Sequence, residues 1–155
     1  MVREDLNSKV CTDLNCVDAG NTEHLWCEIS TKDGTNMLVI GLIYRPPNNS
    51  HEDDTKLNSL LIVAEQRTIK KQLLVLGDFN FPDIQWDRED AQFGTKYEEF
   101  IKTINELYWL QNVNDVTRVR VNNKPSMLDL VFTRSSKEID NLNFTLALEN
   151  RIMWF

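Results

Sequence analysis

The segment Gly77-Asp78-Phe79-Asn80 places a carboxylate and a carboxamide directly after a short apolar run. Side chains of an extended backbone alternate between two faces, so Asp78 and Asn80 are expected to point to the same side. Asp78 could accept a proton or bind a cation, and Asn80 could donate a hydrogen bond to a phosphate oxygen. This pair suits the hydrolysis of a phosphate ester. A structural alternative is an Asx-type turn, in which both side chains only satisfy loop amides.

Two further side chains capable of chemistry lie in other predicted strands. Asp129 lies within the apolar segment 127–132, where a strand would hold its carboxylate at the interior or rim of a sheet. A buried carboxylate needs a specific partner, which makes Asp129 a better functional candidate than a surface acid. An edge strand that turns Asp129 to solvent is the alternative. Tyr44 ends another apolar run, so Tyr44, Asp78, Asn80 and Asp129 could converge at one end of a sheet.

The first elements that could position these residues form a predicted hairpin. Residues 24–30 alternate between apolar and polar side chains, and residues 37–44 are almost continuously apolar. The polar residues 32–36 between them predict the turn. Pro46 follows and stops the second strand, which leaves Tyr44 at a strand exit.

A helix and a third strand are predicted next. Ser50 and Asp53 supply a helix start, and leucines at helical spacing carry the helix to about Thr68. The run 72–76 is too short for a helix and predicts a strand buried on both faces. If the strands on either side of the helix are parallel, this order implies a right-handed crossover.

The second half of the chain predicts one more helix and further strands. Thr95 with Glu98 forms a capping-box pattern, and the apolar stripe that follows, up to Leu107, predicts a core-facing helix. Strands are predicted at residues 116–121, 127–133 and 141–148. The sequence therefore predicts one α/β unit over residues 1–155.

Composition narrows the classes of function. The 155 residues are 41% hydrophobic, which is enough for a core, and no apolar run approaches the roughly 20 residues of a membrane span. Three cysteines without a C-x-x-C spacing indicate neither a disulfide framework nor a zinc site. We expect reduced thiols and an intracellular protein, nuclear or cytoplasmic.

The net charge of -7 argues against nucleic-acid binding through a broad basic surface, although a nuclease can be acidic around its metal. No glycine-rich phosphate loop or G-x-S-x-G motif is present. The sequence therefore excludes three classes of protein, namely P-loop proteins, dinucleotide-binding proteins and serine hydrolases of the G-x-S-x-G type.

In their order and spacing, five segments resemble the endonuclease/exonuclease/phosphatase superfamily, and most closely the apurinic-type endonuclease domain of non-LTR retrotransposons. They are residues 25–29, 41–47, 77–86, 117–118 and 128–133. The resemblance implies an α/β (α+β) fold of four layers, in which two β-sheets lie face to face with helices outside. It also implies cleavage of a phosphodiester in DNA with Mg²⁺ or Mn²⁺, and a reverse transcriptase fused to the domain in full-length relatives.

Carried over by position, the resemblance assigns roles to single residues. Asp78 would orient or deprotonate the attacking water and bind the metal, and Asn80 would hold that water or a phosphate oxygen. Tyr44 would touch the scissile phosphate. Asp129 matches the carboxylate that orients a catalytic histidine in the family.

Two arginines also match positions of the family. Arg45 and Arg118 lie where contacts to the phosphate backbone of DNA are expected. Ordinary solvated arginines are the alternative for both.

The sequence departs from the family at both ends. Family members carry an Asn-bearing strand and a metal-binding Glu upstream of the segment that resembles residues 2–6, which here follows Met1 directly. They end in a Ser-Asp-His motif, whereas residues 146–155 contain neither Asp nor His. His24 and His51 lie too early in the chain to replace that histidine. We expect an N-terminally truncated copy of the domain, in which Mg²⁺ is weakly held and activity is reduced.

Two other functions remain open at this point. The first is a catalytically silent fold remnant that binds nucleic acid or protein, which the missing ligand motifs favour. The second is hydrolysis of inositol phosphates or sphingolipids, because members of the superfamily share the catalytic set and differ in the loops that choose the substrate.

Overall fold

The computed structural model describes residues 6–82, 84, 86, 97–118 and 126–136, together with two short strands at 145–147 and 151–153. Three helices are described: α1 (Thr12–Asn15), α2 (His51–Thr68) and α3 (Glu98–Glu106). The strands are β1 (Leu6–Val10), β2 (Glu23–Thr31), β3 (Met37–Tyr44), β4 (Gln72–Asp78), β5 (Leu110–Gln111), β6 (Asp129–Thr133), β7 (Thr145–Ala147) and β8 (Arg151–Met153).

Six of the strands form one mixed sheet in the order β1-β2-β3-β4-β6-β5. β2 and β3 are antiparallel, which confirms the predicted hairpin. β3 and β4 are parallel and joined by α2, as the predicted strand–helix–strand unit requires. β6 returns antiparallel to β4. The mixed α+β class predicted from the sequence is therefore confirmed.

Several predicted elements have different limits in the structure. β1, α1, β5 and β8 were not predicted. β7 and β8 form a separate two-stranded sheet, and β7 covers three residues of the predicted strand 141–148. Of the predicted strand 116–121, the described part makes only an isolated antiparallel bridge between Arg118 and Ser126.

The start of α3 differs from the capping-box prediction. Thr95 lies outside the described residues, and Tyr97 occupies the N-cap position without a side-chain hydrogen bond to the helix. The first turn of α3 carries Glu98 and Glu99, which complement the positive end of the helix dipole. At α2, by contrast, the capping box of Ser50 and Asp53 is formed.

The main core lies between one face of the six-stranded sheet and the helices. Trp26, Val75 and Phe132 are fully buried on this face. Leu25 and Leu42, one residue out of phase with that set, are about half exposed on the opposite face. Within the described residues, no helix has both the length and the apolar character of a transmembrane span.

Candidate active site

Three of the residues selected from the sequence form a row across three neighbouring strands. Tyr44 at the end of β3 is the register partner of Asp78 at the end of β4, and Asp78 is the register partner of Asp129 at the start of β6. Side chains that are directly opposite point to the same face, with Cβ atoms about 5 Å apart in an antiparallel pair. Glu23 of β2 extends the row beyond Tyr44. Of the four residues predicted to converge at one end of a sheet, Tyr44, Asp78 and Asp129 are thus brought together.

Backbone hydrogen bonds join the end of β4 to the neighbouring chain segments on both of its edges. The Arg45 N–H donates to the Asp78 carbonyl at 2.9 Å, and the Phe79 N–H donates to the Leu128 carbonyl at 2.8 Å. Gly77 has φ +149, and a Cβ atom at this position would lie 1.8 Å from the Ile43 carbonyl oxygen. Only glycine therefore allows β3 to approach β4 this closely immediately before Asp78.

The environment of Asp78 favours its protonated form. Burial raises the pKa of the Asp78 carboxyl above its usual value, and the negative charge of Asp129 raises that pKa further. Hydrogen bonds from Asn80 and the positive charge of Arg118 oppose these effects on the pKa. Asp78 thus holds a proton at higher pH than an ordinary aspartate does, which suits a group that takes a proton from water.

Asn80 lies in a turn and not in an extended strand. β4 ends at Asp78, and Asn80 has the left-handed φ of +49. The Asn80 N–H donates to Asp78 Oδ1 at 3.1 Å, which is the Asx-type turn considered as the structural alternative. The alternation assumed from the sequence therefore stops at Asp78. Asn80 is buried, and its Nδ2 donates to the Arg45 carbonyl at 2.8 Å.

Arg45 is buried in the protein. Both sequence-based expectations, a phosphate contact and a solvated side chain, assumed an accessible guanidinium, but Arg45 is only 2% exposed. Its Nε and Nη2 donate to the two carboxylate oxygens of Asp54 at 2.6 and 2.8 Å. Its Cζ lies 4.2 Å from the centre of the Phe81 ring. The guanidinium therefore faces other protein groups, which does not fit direct contact with DNA.

Arg118 has the more accessible position. It is half-buried, and its positive charge is close enough to Asp78 to lower the pKa of that carboxyl. Within the part of the chain that the structure describes, its guanidinium makes no hydrogen bond or ion pair. Of the two predicted arginines, Arg118 is the one whose charge is placed beside the row.

The two histidines contact residues away from the row. His24 Nε2 lies 3.1 Å from the Val17 carbonyl, and His51 at the start of α2 lies 3.9 Å from Glu99 of α3. Neither histidine is therefore part of the row.

Comparison with protein-family models now identifies the family. The model described as endonuclease-reverse transcriptase matches residues 38–150 of this chain, which is more than half of its length. The chain belongs to the endonuclease-reverse transcriptase family. No curated protein gives a significant match to the sequence.

Solved structures support the fold of this endonuclease-family chain. The endonuclease domain of TRAS1, a telomere-specific non-LTR retrotransposon, aligns with a TM-score of 0.70 and 16% identity, over 96% of this chain and 64% of that one. An endonuclease/exonuclease/phosphatase family protein from Bacteroides thetaiotaomicron aligns with a TM-score of 0.50 and 13% identity, over 74% of this chain and 42% of that one. The chain thus spans less than two thirds of the length of either structure.

Two residues that the sequence analysis did not select help to position the row in this family member. Thr117 Oγ1 accepts hydrogen bonds from the backbone N–H groups of Leu128 and Asp129, at 2.9 and 3.0 Å, and so fixes the start of β6. Asp54 holds Arg45. Thr117 adjoins Arg118 in one of the segments that carry the resemblance, which was the available signal. No signal in the sequence pointed to Asp54, because this residue is one of three consecutive acids at 52–54.

Two carboxylates of the row, Asp78 and Asp129, are suitable ligands for a divalent cation. No group of three or more histidine, cysteine, aspartate or glutamate side chains with metal-binding geometry occurs among the described residues. However, Asp78 and Asp129 are side by side, and the charge of Asp129 raises the pKa of Asp78. Mg²⁺ is commonly bound through one or two carboxylates and keeps several waters. The pair therefore fits a Mg²⁺-type cation whose other ligands are water or substrate.

Proposed function

We propose that this endonuclease-family chain hydrolyses phosphodiester bonds in DNA with the help of Mg²⁺ or Mn²⁺. The observation that carries the proposal is the row of Tyr44, Asp78 and Asp129 at one end of the mixed sheet. A phenol, two carboxylates and the nearby charge of Arg118 are groups that can supply proton transfer and charge stabilisation in the hydrolysis of a phosphate ester.

Each side chain of the row has a role that follows from its position. Asp78 orients the attacking water and takes its proton. Asn80 holds the Asp78 carboxylate through its backbone N–H, while its buried side-chain amide donates to the Arg45 carbonyl, so the contact with water or phosphate expected from the sequence gives way to a supporting role. Tyr44, which is 44% exposed, donates a hydrogen bond from its hydroxyl group to an oxygen of the scissile phosphate.

Arg118 and Asp129 complete the proposed site. Arg118 binds a backbone phosphate near Asp78. Asp78 and Asp129 would together hold the cation, which would supply positive charge to the phosphate as negative charge develops there. We place Asp129 in this role because it is the register partner of Asp78 across β4 and β6.

Nicking of supercoiled plasmid in Mg²⁺ tests the proposal. Asp78→Asn keeps the shape of the side chain and removes the base, so the nicking rate should fall by about 10²- to 10⁴-fold. Asp115→Asn is the matched control, since Asp115 is an exposed aspartate outside the row, and it should nick at the wild-type rate. Equal rates for the wild type and Asp78→Asn would contradict the proposal. DNA binding without Mg²⁺-dependent nicking would favour the silent, binding-only alternative.

A further inference from the structure

Arg45 connects three parts of the fold through its guanidinium. Nε and Nη2 bind the Asp54 carboxylate in the first turn of α2, at 2.6 and 2.8 Å. Nη1 donates to the carbonyl oxygens of Pro46, at the exit of β3, and of Asn80, in the loop after β4, both at 3.2 Å. Two parallel bonds between an arginine and a carboxylate fix direction as well as position. The orientation of the Asn80 carbonyl is therefore tied to helix α2.

The backbone of Arg45 reaches the same loop. Its carbonyl accepts from Asn80 Nδ2 at 2.8 Å, and its N–H donates to the Asp78 carbonyl at 2.9 Å. Residues 78–80 are thus held by Arg45 at three points. Asn80 needs this support, because its φ of +49 is an uncommon conformation that persists when the surroundings determine it.

We propose that Arg45, oriented by Asp54, is a positioning residue that holds Asn80 in its left-handed turn and so keeps the Asn80 N–H on the carboxylate of Asp78. The inference rests on the proposed function, because it assumes that Asp78 carries the reaction. It replaces the expected contact between Arg45 and phosphate with an internal role. Lysine cannot take this role, because its ammonium is a single point charge without the planar pair of donors.

The first test is the split between kcat and KM on a short DNA duplex. Arg45→Lys should lower kcat by about 10- to 100-fold, since small errors in the placement of reacting groups are costly, and leave KM within about twofold. A contact between Arg45 and phosphate predicts the opposite pattern, in which KM rises and kcat is kept. That opposite pattern would overturn the inference.

A matched control separates positioning from general stability. Arg134 is also a largely buried arginine, and it binds Glu65 of α2 at 2.8 Å, the carbonyl oxygen of Thr68 at the end of that helix and the carbonyl oxygen of Lys71 in the turn that follows. Arg134→Lys should lower the melting temperature as Arg45→Lys does, but leave kcat within about twofold. If both variants lower kcat to the same extent, the role of Arg45 is only structural and the inference is wrong.

A spectroscopic readout is independent of activity. The Asn80 side-chain NH₂ and backbone N–H signals of ¹⁵N-labelled protein should move in Arg45→Lys and stay in place in Arg134→Lys. Unchanged Asn80 signals in folded Arg45→Lys would overturn the inference even if the proposed function holds. An inactive wild type would overturn both.

A milder variant covers the case in which Arg45→Lys does not fold. Asp54→Glu keeps both charges and moves the carboxylate by one methylene, so the guanidinium must shift. Its kcat should fall and its Asn80 signals should move. A wild-type kcat with unmoved Asn80 signals in Asp54→Glu would overturn the inference.

Discussion

Asp78 is under opposing influences from its neighbours. Burial and the charge of Asp129 disfavour its ionised form, whereas Asn80 and Arg118 favour that form. Because the first two effects are the larger ones, the pKa of Asp78 is raised. A carboxylate that is costly to ionise in the folded protein is characteristic of functional sites, and the cost has consequences for stability as well as for activity.

The first prediction concerns the stability of Asp78→Asn. A carboxyl whose pKa is raised on folding contributes stability below its unfolded pKa and loses that contribution as the pH rises through the folded pKa. At pH 7 the wild type must keep an ionised Asp78 in an environment that disfavours the charge, whereas Asn carries no charge. Asp78→Asn should therefore melt at a higher temperature than the wild type at pH 7. The difference should shrink as the pH falls towards 3. Thermal melts followed by circular dichroism check this, and a variant less stable than the wild type at pH 7 would contradict it.

The second prediction concerns the effect of Asp129 on the pKa of Asp78. Asp129→Asn removes a negative charge beside Asp78, so the pKa of Asp78 should fall towards its usual value. A ¹³C NMR titration of the side-chain carboxyl measures this directly. Asp115→Asn, which changes an exposed aspartate outside the row, should leave that pKa unchanged. An unchanged pKa of Asp78 in Asp129→Asn would mean that the charge of Asp129 does not contribute to the raised pKa.

At the scale of elements, the site depends on how closely β3 and β4 approach. The two strands are parallel, and the Ile43 carbonyl lies against Gly77 where any side chain would collide with it. Asp78 follows immediately. The geometry of the carboxylate is thus set by a contact between two backbones.

The third prediction compares two glycines with positive φ. At Gly77, an alanine would place its Cβ 1.8 Å from a backbone oxygen, whereas at Gly34, with φ +70, nothing lies within 4 Å. Gly77→Ala should therefore lower the free energy of unfolding by about 3 kcal/mol or more. Gly34→Ala should lower it by only about 1–2 kcal/mol, the cost of a left-handed alanine. Urea denaturation measures both, and equal losses would contradict the account of the β3–β4 approach.

Sequence reasoning predicted the elements around the site better than the elements at the start of the chain. The β2–β3 hairpin, α2 and β4 have strong local patterns, and each was predicted within a few residues. β1 was missed because four of its five residues are exposed and show no alternation. A strand that is stabilised by backbone pairing and has no buried face lacks the alternating apolar pattern by which strands are predicted.

Local sequence patterns also predicted only part of the candidate active site. The row could be predicted because Tyr44 and Asp78 lie at the ends of patterned apolar runs and Asp129 lies within another such run. The burial of Arg45 could not, since its partner Asp54 is one of three adjacent acids and no local rule tells which of them turns inward. Long-range pairing of polar side chains is a property of the folded structure.

At the scale of the whole molecule, the net charge of the protein has the same sign as that of the proposed DNA substrate. The net charge of -7 repels DNA, so binding must depend on a few local contacts. The half-exposed Leu25 and Leu42 border an open cavity of about 300 Å³ beside Tyr44, and this apolar surface adds no positive charge.

The fourth prediction concerns the salt dependence of DNA binding. Each phosphate contact contributes about -0.9 to the slope of log K against log salt concentration, so we expect a shallow slope of about -1 to -3. Arg118→Gln should make the slope shallower by about one. Lys32→Gln, at the turn between β2 and β3 and thus at the opposite end of the sheet, should leave it unchanged. Fluorescence anisotropy at several salt concentrations measures the slopes, and equal slopes for Arg118→Gln and the wild type would remove Arg118 from the interface.

The row across β3, β4 and β6 also determines when a competent site can exist during folding. The β2–β3 hairpin closes a short loop, and hairpins of this kind form within about 1–10 μs. By contrast, Asp78 and Asp129 come together only when about 50 residues of chain are closed into a loop, and such distant contacts form slowly. A refolding chain will therefore regain most of its secondary structure before the two carboxylates meet, and the proposed nuclease activity should return only in the last kinetic phase.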